Sequence, residues 1–145
     1  MRGVAVVTRK GAFMASNDLF IKHGFEVVDS ASPDFELLVY RFNTKSPAPS
    51  FNGNWENRIR SYSKGLTIIR ADQCPYTVKN VNEICETAKN RYKTNPTVIT
   101  LENCKEAQNS PAPFGTFCIL YDGAIIAEHP ISNTRFKNIM SKIVK

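Results

Sequence analysis

Four consecutive residues near the middle of the chain, Cys74-Pro75-Tyr76-Thr77, bring together a nucleophile, an aromatic ring and a hydroxyl around a proline that suits the first turn of a helix. A cysteine at the mouth of a helix faces unpaired backbone N–H groups and the positive end of the helix dipole. Both favour the thiolate, which is a far better nucleophile than the thiol. The hydroxyl of Thr77, three residues on, is near enough to donate to the sulfur. Tyr76 offers a ring to cover the site or to stack on a substrate. Cys74 and Thr77 are therefore the candidate catalytic pair, and Tyr76 is a candidate substrate contact. Thr77 cannot resolve a mixed disulfide, so the tetrapeptide has no internal two-cysteine cycle. The competing reading is a cysteine that merely begins a helix.

The other cysteines are Cys85, Cys104 and Cys118. Cys85 falls on an apolar helical stripe and Cys118 in the strand-like run TFCILY, so both are read as core thiols. Cys104 follows Asn103 at the start of a short helix, a position like that of Cys74, and is the candidate distant resolving thiol. No Cys-x-x-Cys pair occurs, and His23 and His129 stand alone, so no metal is expected. His129-Pro130 and Arg135 are read as surface groups.

The elements that must position these residues emerge from periodicity and punctuation. Residues 4–7, VAVV, read as a strand and 12–22 as a helix with Phe13, Leu19 and Phe20 packing, closed by Gly24. Residues 25–28 and 35–42 read as strands around a turn at Pro33 and Asp34. Residues 43–54, NTKSPAPSFNGN, form a linker, and Trp55, Ile59 and Tyr62 suggest a short helix from 55 to 63. Then come a strand at 66–70, a helix from Pro75 to about Asn90 with Val78, Val81, Cys85 and Ala88 on one face, and a strand at 97–101. The next helix is expected at 103–109, with Asn103 and Glu106 spaced as a capping box. Strands at 116–121 and 124–128 are joined by Asp122-Gly123, a two-residue hairpin signal. A helix from Asn133 to Val144 ends the chain, with Phe136, Ile139, Met140 and Ile143 as its stripe. Two crossovers are expected to set the first strands of this second part in parallel, and the hairpin to add an antiparallel pair.

The 145 residues are 42% hydrophobic and carry 19 basic and 13 acidic side chains, a net charge of +6, which fits a folded α/β protein rather than a disordered one. Residues 1–42 are balanced, five basic against five acidic, and the excess is spread over the rest without a basic run. Nucleic acid is therefore not the expected partner. No apolar run reaches the roughly 18 residues of a membrane helix, and the first residues lack a signal-peptide pattern. The expectation is a cytoplasmic protein with reduced thiols and no membrane partner.

Residues 66–145 also resemble a thioredoxin-like domain, β-α-β-α-β-β-α, on the strength of CPYT after LTIIR and of NSPAPFG before TFCILYDGAIIAEHP. The resemblance to glutaredoxin-type members implies Cys74 as nucleophile and Pro113 as a cis proline that helps bind the substrate backbone. With Thr77 in place of the second cysteine, it implies a monothiol mechanism, with glutathione as a candidate co-substrate. Residues 1–42 resemble the terminal strand–helix–strand–strand of a GNAT acetyltransferase, through Leu19-Phe20-Ile21-Lys22-His23-Gly24-Phe25-Glu26-Val27-Val28. The whole order, with 43–65 as linker and short helix, resembles YoaP-type proteins, which join a GNAT domain to a YoaP domain. The Gly-rich loop that holds the acetyl-CoA pyrophosphate in GNAT enzymes is not among these residues, and Phe20 stands near the usual aromatic alcohol. The resemblance thus implies a truncated acetyltransferase domain, a gene fragment, that binds no cofactor of its own, with acetyl-CoA expected only for an intact domain. The expected substrates are small molecules or peptides, and exposed strand edges of residues 1–42 offer a route to self-association.

Three functions are compatible with these residues. The leading one is a thiol-dependent accessory domain acting through Cys74. The second is N-acetyltransferase activity in an intact parent protein. The third is a non-catalytic binding or structural module.

Overall fold

A computed structural model describes residues 1–10, 14–32, 34–112 and 115–144; residues 11–13, Pro33, Pro113, Phe114 and Lys145 lie outside the described residues. The chain divides into two units, Met1–Gly53 and Asn54–Lys145.

In the first unit, β1 (Gly3–Arg9), α1 (Asn17–Lys22), β2 (Glu26–Ala31) and β3 (Phe35–Arg41) form an antiparallel sheet of order β1-β3-β2 with one short helix. The β1–β3 register runs unbroken from Gly3 opposite Arg41 to Arg9 opposite Phe35, and β2 carries a bulge between Val27 and Asp29. The helix begins at Asn17, with Ser16 in an extended, N-cap conformation, so residues 14–16 are not part of it; the expected start at residue 12 and the expected packing of Phe13 lie outside the described residues. It ends as its Gly signalled. Gly24 takes φ +84°, its N–H bonds the Ile21 carbonyl at 3.0 Å, and the Phe25 N–H reaches back to Phe20 at 3.1 Å, a Schellman closure. Leu19, expected to pack, is 53% exposed. Phe20 sets its ring edge-on to Phe25 with centroids 5.5 Å apart.

The second unit opens with α2 (Trp55–Arg60) and continues β4 (Leu66–Arg70), α3 (Pro75–Tyr92), β5 (Thr97–Thr100), α4 (Cys104–Gln108), β6 (Cys118–Tyr121), β7 (Ala124–Ala127) and α5 (Asn133–Ile143). The sheet order is β5-β4-β6-β7. Among the described strands only β4–β5 is parallel; the second connection returns β6 antiparallel to β4, so the expected pair of parallel crossovers is reduced to one. The β6–β7 hairpin turns at Asp122 (φ 46°) and Gly123 (φ 81°), the two positive values that a type I′ turn needs. Asp122 also fastens the turn to the start of β4. Its carboxylate accepts the Gly65 N–H at 2.7 Å, and its own N–H donates to the Gly65 carbonyl at 3.0 Å.

Both faces of this sheet are covered. Leu66, Ile68 and Ile119 pack against Val81, Ile84 and Ala88 of α3 and Phe136 and Met140 of α5. Ile69, Cys118 and Leu120 face the other way, with Ala112 and the part-buried Ile59 and Tyr62 beside them. The buried stripe of α3 is Thr77, Val81, Ile84 and Ala88. It is centred on Ile84, so Cys85 and Val78 sit at its margin and not on its axis as the spacing suggested.

Candidate functional site

β4 is one of the two interior strands of the second sheet, and it ends at Arg70. Four residues later Cys74 is the N-cap of α3, the longest helix described, in extended conformation (φ −142°, ψ 122°), and Pro75 occupies the first turn. The Arg70 guanidinium holds the Asp72 carboxylate at 2.9 Å across the intervening loop. Thr77 N–H closes the first turn on the Cys74 carbonyl at 3.0 Å.

The Cys74 thiol titrates below the ordinary thiol value. The backbone N–H of Thr77 contributes most and that of Tyr76 next; slight desolvation opposes them, and the Thr77 hydroxyl adds a smaller lowering. The sulfur forms no capping hydrogen bond, so the effect comes from the orientation of these donors toward a thiolate. Thr77 itself is buried, which anchors the first turn in the core and fixes where its donors point. Tyr76 is 76% exposed. Pro113 lies outside the described residues. The three residues before it, Ser110, Pro111 and Ala112, are buried.

The other thiols differ in kind. Cys118 is fully buried, and its thiol is pushed up to about 12, chiefly by burial and against a lowering contact from the Ser110 hydroxyl. Cys85 is half-buried and also raised by burial, with Lys89 and Arg70 pulling the other way. Cys104 is exposed and takes a hydrogen bond from the Gln108 side-chain amide at 3.4 Å. All four are free. Cys74 and Cys104 leave the same end of the sheet, since Arg70 and Thr100 are register partners and each cysteine comes four residues after its strand end.

One contributor is invisible in the sequence. Arg58 of α2 donates through Nη1 to the carbonyl oxygens of Gln108 at 2.8 Å and Ser110 at 3.2 Å, pinning the segment between α4 and β6. An Arg within WENRIR gives no sign of partners some fifty residues away. Among the described residues no group of three His, Cys, Asp or Glu side chains is placed to hold a metal, and no helix is long and apolar enough to cross a membrane.

The first unit holds an open cavity of about 440 Å³ whose lining includes Lys10, Ser30, Asp34, Phe35 and Glu36. Its two carboxylates outnumber its one ammonium group.

Residues 97–138 match the sequence model of a family described as YoaP-like. The chain is 28% identical over 138 residues, 93% of its own length, to an uncharacterized N-acetyltransferase YoaP of Bacillus subtilis (strain 168). It spans about half, 53%, of that relative. No solved structure matches.

Proposed function

We propose that the second unit is a thioredoxin-like domain in which Cys74 is the attacking thiol, joined to a unit of acetyltransferase type. The observation that carries this reading is the place of Cys74. It caps an 18-residue helix that follows β4, an interior strand of a β5-β4-β6-β7 sheet, with two N–H groups favouring its thiolate. A sheet with one parallel and two antiparallel pairs, and helices after β4, β5 and β7, supports the thioredoxin-like assignment. In the proposed reaction the Cys74 sulfur attacks one sulfur of a disulfide and forms a mixed disulfide, and the other sulfur leaves as a thiolate. A second thiol then attacks the mixed disulfide, and glutathione is the candidate external thiol that finally returns Cys74 to its reduced form. Thr77 positions the donors, while the exposed Tyr76 and the neighbourhood of Pro113 are the proposed substrate contacts.

The test is the alkylation rate of each cysteine by iodoacetamide against pH, localised by mass spectrometry. Cys74 is expected to reach its half-maximal rate below the reference thiol pKa of about 8.5. A Cys74 rate equal to that of the unfolded chain would overturn the reading.

Acetyl transfer in a longer protein is the second reading, favoured by the similarity over 138 residues to a protein named as an N-acetyltransferase. Acetyl-CoA carries a pyrophosphate, which the described residues of the first unit do not suit. The first turn of α1 holds Asp18, and Asn17 beside it donates to the Glu36 carboxylate at 2.6 Å, so negative charge already stands where an anion would bind. Calorimetric titration of this chain with acetyl-CoA is expected to show no binding.

A further inference from the structure

We infer that Cys104 is the resolving thiol for Cys74, which makes the second unit a two-cysteine exchange domain whose cysteines sit at the exits of neighbouring strands. This rests on Cys74 being the attacking thiol. The partner is identified by where the remaining sulfurs lie. Cys85 is eleven residues along the same helix, about 16 Å away along the axis at 1.5 Å per residue. A disulfide needs Cα atoms within about 7 Å, so α3 itself keeps those two apart. Cys118 is fully buried inside β6. Cys104 alone among the other three is exposed.

The topology then brings Cys104 to the right end. β4 and β5 are parallel neighbours, about 4.8 Å apart, with Arg70 opposite Thr100. The Leu101 N–H bonds the Arg70 carbonyl at 2.7 Å and carries the pairing past the strand ends. Cys74 and Cys104 each come four residues after their strand end. α4 has no buried residue and is held by the Asn103 cap and by Arg58 on the Gln108 carbonyl, so it is a segment that can shift without opening the core. The Gln108 amide already donates to the Cys104 sulfur.

A low-molecular-weight disulfide is attacked by the Cys74 thiolate, one of its halves leaves as a thiolate, and the other remains bonded to Cys74. The Cys104 thiolate attacks the Cys74 sulfur, the second half leaves, and the Cys74–Cys104 disulfide remains. The substrate gains two electrons and the protein loses them; an external dithiol reverses the change. An intramolecular thiol at the same sheet end acts at an effective concentration on the order of 1 mM.

The experiment exposes the full chain and its Cys104→Ser variant to oxidised glutathione and follows the products by mass spectrometry. The wild-type chain is expected to pass through a glutathione adduct on Cys74 to a species with a 74–104 cross-link and no adduct. In Cys104→Ser the adduct on Cys74 is expected to persist about tenfold longer or more at micromolar free thiol. An adduct equally long-lived in both proteins would overturn the role of Cys104 while leaving Cys74 as a monothiol nucleophile. Absence of any adduct on Cys74 would overturn both.

Discussion

The two units use the same kinds of apolar residue and cover them very differently. In Asn54–Lys145 the sheet carries helices on both faces, and Leu66, Ile68, Ile69, Ile119, Leu120, Phe136 and Met140 are all essentially inaccessible. Among the described residues of Met1–Gly53 the core is confined to Thr8 and to Phe35, Leu37, Leu38 and Val39 of one strand, while Val4, Leu19, Ile21, Val27, Tyr40 and Phe42 are each more than two-fifths exposed. The difference lies in the helices that leave the strands. A long amphipathic helix after β4 and another after β7 close one side of the second sheet, whereas the first has the six residues of α1. A thiol whose pKa depends on the direction of two N–H groups, as that of Cys74 does, sits where the helix bearing them is anchored, and that is the second unit.

The largest effects should separate the units. Phe136→Ala removes a ring at 0% exposure and is expected to cost about 3–5 kcal/mol, read from urea unfolding. Phe42→Ser, at 54% exposure in the first unit, should change stability by no more than about 0.5 kcal/mol. Similar losses from the two would erase the contrast.

The buried Cys118 thiol gives a pH-dependent version of the same test. Its folded pKa of about 12 lies above the unfolded value, so the folded chain keeps a proton that the unfolded chain releases. The stabilisation is complete below the unfolded thiol pKa of about 8.5 and is lost as pH rises toward 12, at about 1.4 kcal/mol per pH unit. Cys118→Ala should flatten the alkaline limb of the stability curve by one proton; an unchanged slope would refute this.

Helix ends provide the smallest and most direct comparison. α1 closes with Gly24 at φ +84°, where a Cβ would also meet the Tyr40 ring at 3.2 Å, whereas α3 closes with Lys93 at φ 53°. Gly24→Ala is expected to destabilise by about 1–2 kcal/mol, and Lys93→Gly to stabilise by about 1 kcal/mol or less. Thermal unfolding of both variants, expected to shift in opposite directions, checks the pair.

The features legible in the residues themselves are mostly local. Gly24, Asp122-Gly123, Pro75, and Asn103 with Glu106 each stand at a boundary where backbone chemistry permits few alternatives; Asn103 Oδ1 does accept the Glu106 N–H at 3.0 Å. The start of α1 differs from expectation because AFMAS has no residue that forbids a helix, and the extended Ser16 decides the boundary. The stripe of α3 is displaced by one residue because Ile84 and Cys85 are adjacent and both apolar, and only packing against Leu66 and Ile68 tells them apart. For the candidate site, CPYT marks the cysteine and the helix start. The clasp of Arg58 and the shared sheet end of Cys74 and Cys104 depend on strand order, which no short stretch of sequence encodes.

The strand order has a consequence in time. β4 lies between β5 and β6, and both are made after it. As the chain is synthesised, residues 66–70 are complete some fifty residues before β6 exists to flank them, a wait of roughly 3–10 s at about 5–20 residues per second. During that interval Cys74 is an ordinary cysteine on an unfinished sheet, exposed to any oxidant the nascent chain meets. The setting of Cys74 is thus among the last features of its domain to mature, and a premature stop just before β6 would leave the CPYT sequence without the sheet that gives its thiol a fixed place.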